Sequence, residues 1–185
     1  MGENYRTLLG HFRHESGHYY FDVMQHLHPE LLDEFRYYFG DERDDYSAAL
    51  KRHYEQGPPT NWQTHFISSY ATAHPWEDWA ETWAHYLHMM DTLETAYYGT
   101  LRVDGNGSTL KAMQFRECPI GGHDFEHILE NWITLTFNLN ALNRSMGLDD
   151  AYPFQLTDVV KDKLRFIHRH ILHKAFAQHT EARIT

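Results

Sequence analysis

His14-Glu15-Ser16-Gly17-His18 sets two imidazoles and a carboxylate at the spacing HExxH, inside a segment, Tyr5 to Leu27, whose apolar residues recur at helical intervals. On an α-helix residues i and i+4 share a face, so His14 and His18 can close on one metal ion. Glu15, about 100° round the helix from His14, points to the flank of that ion, where a carboxylate can take a proton from an activated water. The chemistry this pattern names is hydrolysis assisted by a divalent metal, zinc first. With 16 histidines in 185 residues, accident alone would produce such a pentapeptide in roughly one chain in ten. The inverted pattern HxxEH in His123-Asp124-Phe125-Glu126-His127 shows how readily this composition makes one. A third ligand has to separate the two cases.

A catalytic zinc keeps three protein ligands and one open position, which calls for a carboxylate on a later helix. Glu77 and Glu81 stand one turn apart in a long helical segment that opens at His74-Pro75 and runs to about Tyr98. Trp76, Trp79, Trp83, Leu87 and Met90 give that segment a thick apolar stripe. The two glutamates lie on the adjacent face and can turn toward the metal helix while the stripe enters the core. The inverted pair fares worse, since Glu130 and Glu181 follow His127 and neither sits well as a remote third ligand. Asp22, four residues after His18, is either an orienting partner of a ligand histidine or a plain surface carboxylate.

These groups need a helical scaffold, and the rest of the chain supplies one. The spacing predicts helices from about Asn4 to His28, from Pro29 to Gly40, from Asp44 to Gly57, from Asn61 to Thr72, from Pro75 to Tyr98, from Asp124 to Met146 and from Thr157 onward. In the first, Leu8, Phe12, Tyr19, Val23 and Leu27 are the expected core positions. In the last, Val160, Leu164, Ile167 and Ile171 face inward, and His168, His170 and His173 read as solvated. Residues 101–122 hold four glycines and a proline without a period, a long loop with room for a hairpin at Asp104-Gly105-Asn106-Gly107. Strand signals are almost absent. The expected fold is mainly α, one helical domain over residues 1–185, its length sufficient for a core of its own.

Composition narrows the function. The net charge is −10 with histidine neutral, and no basic cluster is interleaved with aromatics, so nucleic acid and anionic lipid are not expected partners. One cysteine, Cys118, leaves neither an internal disulfide nor a cysteine-based structural zinc site. No run approaches the length of a membrane span, and Met1-Gly2-Glu3-Asn4 lacks the basic and apolar regions of a signal peptide. The expected location is the cytoplasm.

Several blocks carry a resemblance. Tyr70 through Glu81 is similar in spacing to the gluzincin class of zinc peptidases. In lethal-factor-like and Mlc-titration-factor-type peptidases a ligand Glu precedes paired aromatics and Ala, here Glu77-Asp78-Trp79-Ala80, with Asp78 where those families place an aromatic. A closer likeness, over nearly the whole chain, is to a bacterial family of zinc-binding metallopeptidases. Its blocks resemble Gly10-His11-Phe12-Arg13-His14-Glu15, Phe39-Gly40-Asp41-Glu42-Arg43, His74 through His85, Arg144-Ser145-Met146-Gly147 and Tyr152-Pro153-Phe154.

The resemblance implies Glu77 as third ligand of one zinc, with Glu81 accepting the free ring N–H of a ligand histidine; the two could exchange roles. It implies that Tyr70, seven residues before Glu77, donates to the oxyanion, the alternative being a core aromatic. The implied fold has zincin-like helices with the usual N-terminal sheet missing or minimal, as in a shortened catalytic portion of a longer architecture that carries a zinc ribbon. The implied activity is peptidase action on a peptide or protein, with Glu15 as general base. A non-catalytic zinc-binding domain and a metal-free helical interaction domain are the alternatives.

Overall fold

The structure, a computed structural model, describes residues 7–103, 113, 118–119 and 124–172, the last two by backbone only. Six α-helices lie among them: α1 Leu8–Leu27, α2 Leu32–Phe39, α3 Tyr46–Gln56, α4 Pro75–Tyr98, α5 Phe125–Ser145 and α6 Asp158–Ile167. The fold is mainly α. No strand occurs among the described residues, and an isolated antiparallel bridge joins Val103 to Met113. The hairpin expected at Asp104–Gly107, like Asn4, His123 and His173, falls outside the described residues.

Two compact units form, one from the described residues up to Leu87 with Phe154–Ile171, the other from His88 to Pro153. The first holds every residue of the candidate site. Its core is an aromatic cluster round Trp79, whose ring meets Phe21, Phe35, Phe39, Trp83 and Phe166 at centroid distances of 5.6 to 6.3 Å. The second unit is built on α5, where Ile128, Trp132 and Leu135 are buried, Trp132 edge-on to Tyr152 at 4.8 Å. The α5 stripe leaves the core before its end, for Leu142 and Met146 are exposed.

The caps explain where the helices start. Thr7 accepts from the Gly10 amide, Asp45 from Ala48, Asp124 from Glu126 and His127, and Thr157 from Val160, each satisfying amides that a helix N-terminus leaves free. Gly40 ends the α2 segment at φ 101°, a backbone state that glycine enters without a Cβ penalty. Between Asn61 and Thr72 the expected single helix is replaced by two 3-10 turns, Trp62–Thr64 and Tyr70–Thr72. Side chains compete there with the helical ladder: Thr64 Oγ1 donates to the Asn61 carbonyl and Ser68 Oγ accepts from the Ala71 amide.

The inner face of α1 differs from the one its apolar spacing predicts. Leu8, Phe12, Tyr19 and Leu27 are exposed, and Gly10, Arg13, Gly17, Phe21 and Met24 are buried. The reason is the contact with α4. A Cβ built on Gly17 would lie 2.9 Å from the Ala80 Cα and 3.2 Å from the Trp83 Cβ, so the two backbones meet where α1 has no side chain. On that face the Trp79 indole donates to the Gly17 carbonyl at 2.8 Å and the Trp83 indole to Ser16 Oγ at 3.0 Å. Two buried tryptophans with satisfied N–H groups thus set the rotation of α1, and the histidine pair comes inward with Gly17.

Behind the same stretch of α4, Asp78 is fully buried and meets Lys163 of α6, which is 3% exposed. The ammonium donates to Asp78 Oδ2 at 2.6 Å and to the His65 carbonyl at 2.8 Å, and lies 4.5 Å from the centre of the Phe66 ring. Burial pushes the Asp78 carboxyl up to about 7 even with this partner. Asp78, which stands where the resembled peptidase families place an aromatic, is therefore matched by a buried cation that ties α6 to α4. His168 and His170, expected in solvent, are bound as well: Tyr86 Oη is 2.7 Å from His168 Nδ1, and His170 Nε2 is 2.9 Å from Glu34.

Candidate metal centre

Three side chains from α1 and α4 converge. His14 Nε2 lies 3.1 Å from His18 Nε2 and 3.1 Å from Glu77 Oε2, and His18 Nε2 lies 3.6 Å from the same oxygen. Zinc bonds of about 2.0–2.1 Å in tetrahedral arrangement place ligand atoms about 3.3 Å apart, so the triangle has the size of one face of a zinc tetrahedron. Glu77 Oε2 is buried and, despite the nearby imidazole nitrogens, has no aligned hydrogen-bond donor. Two imidazoles and a carboxylate are also a donor set found in catalytic zinc sites. The residues present fit a divalent cation.

Around this triangle each group is held. His14 Nδ1 is 2.6 Å from Glu81 Oε1, and the other oxygen of Glu81 accepts from Ser68 Oγ at 2.6 Å. Tyr46, the first residue of α3, donates from its hydroxyl to Glu77 Oε1 at 2.6 Å. The His18 ring packs on Trp76, centroids 3.8 Å apart. Asp22 is exposed, and among the described residues its carboxylate meets no member of the cluster; the backbone carbonyl of Asp22 accepts from His26.

The electrostatics are those of a cation trap. Burial pulls the His14 imidazole down, yet Glu77 and Glu81 together push it up to about 9. Burial raises the Glu77 carboxyl, and the neighbouring His14 and His18 imidazoles with the Tyr46 hydroxyl more than offset this, leaving it below the ordinary carboxylate range. Glu81 is lowered in the same way by His14 and Ser68 against its burial. Two ionised carboxylates beside His14 and His18 hold negative charge that a divalent ion, taking the place of the His14 proton, would neutralise.

A cleft of about 400 Å³ opens beside the triangle, lined by His14, Glu15, Tyr70 and Glu81, with Thr7, Gly10, His11, Tyr54, Ser68, His85 and Phe154. Glu15 stands on its wall, about half exposed, 3.7 Å from His11 Nε2. The Tyr70 ring lies 6.1 Å from that of His14. Burial and the charge of Glu77 raise the Tyr70 hydroxyl well above its ordinary value, so it remains a donor. The structure thus brings His14, His18, Glu15, Tyr70, Glu77 and Glu81 together and leaves Asp22 apart. Tyr46, Ser68 and Trp76 were not legible as site residues. Tyr46 is 31 positions from Glu77, and no periodicity within one helix reports contact with another.

Residues 1–170 match the model of a family described as "putative zinc-binding metallo-peptidase". Similar proteins, described only as uncharacterized, come from Mycobacterium bovis and from two strains of Mycobacterium tuberculosis. Each is 50% identical over 168 residues, covering 91% of this chain and 47% of the relative. The chain spans about half the length of those relatives. No solved structure matches it. Among the described residues no helix is long and apolar enough to cross a membrane. His14, His18 and Glu77 form a group that could hold a metal ion, and the match over residues 1–170 shows the family: the chain belongs to the one described as "putative zinc-binding metallo-peptidase".

Proposed function

We propose that this chain is a zinc-dependent peptidase domain that binds one zinc through His14, His18 and Glu77 and acts on a peptide or protein. The observation that carries the reading is the closure of the three ligand atoms to 3.1, 3.1 and 3.6 Å at the edge of an open cleft. Zinc bound there supplies a water of pKa about 7 and a polarised substrate carbonyl. Glu15, on α1 between the two histidines and facing the cleft, takes the proton from the attacking water and returns it to the leaving amine. Glu81 keeps the Nδ1–H of His14 pointed at its own carboxylate, so that Nε2 presents its lone pair to the ion. Tyr70, which also lines the cleft, donates to the oxygen that gains charge.

Metal analysis after dialysis against a weak chelator tests the site. The wild type should retain about one zinc per chain, and His14→Ala or Glu77→Ala should lose it. Full occupancy in His14→Ala would place any metal elsewhere. Glu15→Gln tests the enzyme: it removes the basic oxygen and keeps size and shape, so zinc content and melting should stay unchanged while cleavage of a peptide library falls by about 100- to 10,000-fold. Loss of zinc from Glu15→Gln would instead make Glu15 a structural group, and the site a scaffold.

A further inference from the structure

We infer that Tyr46 is the positioning residue that makes Glu77 a one-oxygen ligand of the metal. The inference rests on the zinc reading above and adds a residue that no helical spacing connects to the site. A carboxylate presents two oxygens to a cation, and nothing in Glu77 itself decides whether one or both are used. Here the two are separated by their partners. Oε2 faces His14 and His18 without an aligned donor. Oε1 accepts the Tyr46 hydroxyl at 2.6 Å, the length of a strong O–H···O⁻ bond. Turning Oε1 onto the ion would set the cation and the Tyr46 hydroxyl in competition for one oxygen and weaken that bond.

The tyrosine is itself fixed. It opens α3 directly after the capping residue Asp45, and its ring stands edge-on to His74 and Trp76, centroids 5.3 and 5.6 Å away. His74 Nε2 donates to the Asp44 carbonyl at 3.0 Å, tying the start of α3 to the start of α4. Trp76 in turn packs on the His18 ring. Tyr46 therefore sits in one packed group with a ligand carboxylate and the aromatic neighbour of a ligand histidine. Holding Glu77 to one oxygen leaves the fourth position of a tetrahedral ion for water or substrate instead of a second carboxylate oxygen.

The test uses the full chain as wild type, Tyr46→Phe and His14→Ala. Zinc affinity is read by competition with a chromophoric chelator, the coordination number by the visible absorption of the cobalt-substituted protein, and the fold by thermal melting of the metal-free forms. Tyr46→Phe keeps the ring packing and removes only the hydroxyl. It should weaken zinc by about 10- to 100-fold and dim the cobalt bands as Oε1 joins the ion, while metal-free melting falls by no more than the few degrees carried by the hydroxyl's hydrogen bonds to Glu77 and Tyr70. Wild-type affinity and spectrum in Tyr46→Phe, with His14→Ala unable to bind, would overturn the inference and leave the zinc reading intact. So would a weaker affinity that came only with a large fall in metal-free melting and an unchanged cobalt spectrum. Wild type without zinc, or His14→Ala retaining it, would defeat the zinc reading itself.

Discussion

Gly17→Ala is the sharpest perturbation of the link between fold and metal. In an unhindered helix this change stabilises by about 1 kcal/mol, because alanine has less chain entropy to lose. At Gly17 the new Cβ would stand 2.9 Å from the Ala80 Cα and 3.2 Å from the Trp83 Cβ and Cδ1, against about 3.5–4.0 Å for an ordinary carbon contact. The nearest of these atoms is backbone and cannot swing aside, so α1 and α4 must separate by roughly half an ångström. Overpacking of this kind costs about 1–3 kcal/mol, which leaves a net destabilisation of about 0–2 kcal/mol after the helical gain. In a chain of this size that lowers melting by a few degrees.

The metal should suffer more than the fold. His14 and His18 flank Gly17 on one helix, and Glu77 lies one turn before Ala80 on the other, so the same separation pulls the ligand atoms apart. Metal–ligand distances tolerate about 0.2 Å, less than half of the required shift. The expected outcome is a small fall in metal-free melting together with at least a tenfold loss of zinc affinity in chelator competition. A Gly17→Ala protein that bound zinc like the wild type, or melted higher with its affinity intact, would refute the account of this crossing.

Glu81→Gln should weaken zinc by about 10- to 100-fold and Glu77→Gln by more, both measured by the same competition; the opposite order would exchange their roles. Lys163→Met strands the buried Asp78 carboxylate and should cost about 3–5 kcal/mol in urea denaturation, less whatever Asp78 recovers by taking up a proton. Adding Asp78→Asn to Lys163→Met should restore part of that loss, and a single variant as stable as wild type would mean that the ion pair contributes nothing to the packing of α6 on α4.

Much of the site could be read along single helices. The i, i+4 spacing of His14 and His18 and of Glu77 and Glu81 places each pair on one face whatever else the chain does, because helical geometry is local. The cap at Thr157 and the stop at Gly40 are local for the same reason, and so was the mainly α class. What periodicity could not supply was the rotation of each helix about its axis. On α1 two stripes compete, the apolar Leu8–Phe12–Tyr19–Leu27 and the small or mixed Gly10–Arg13–Gly17–Phe21–Met24, and hydrophobicity alone favours the first. The second wins because a glycine lets two backbones touch and two buried indoles need acceptors on that face. The grip of Tyr46 on Glu77 and the pairing of Asp78 with Lys163 belong to the same class of fact. They join residues 31 and 85 positions apart, and only packing in three dimensions decides which distant polar groups meet where water is excluded.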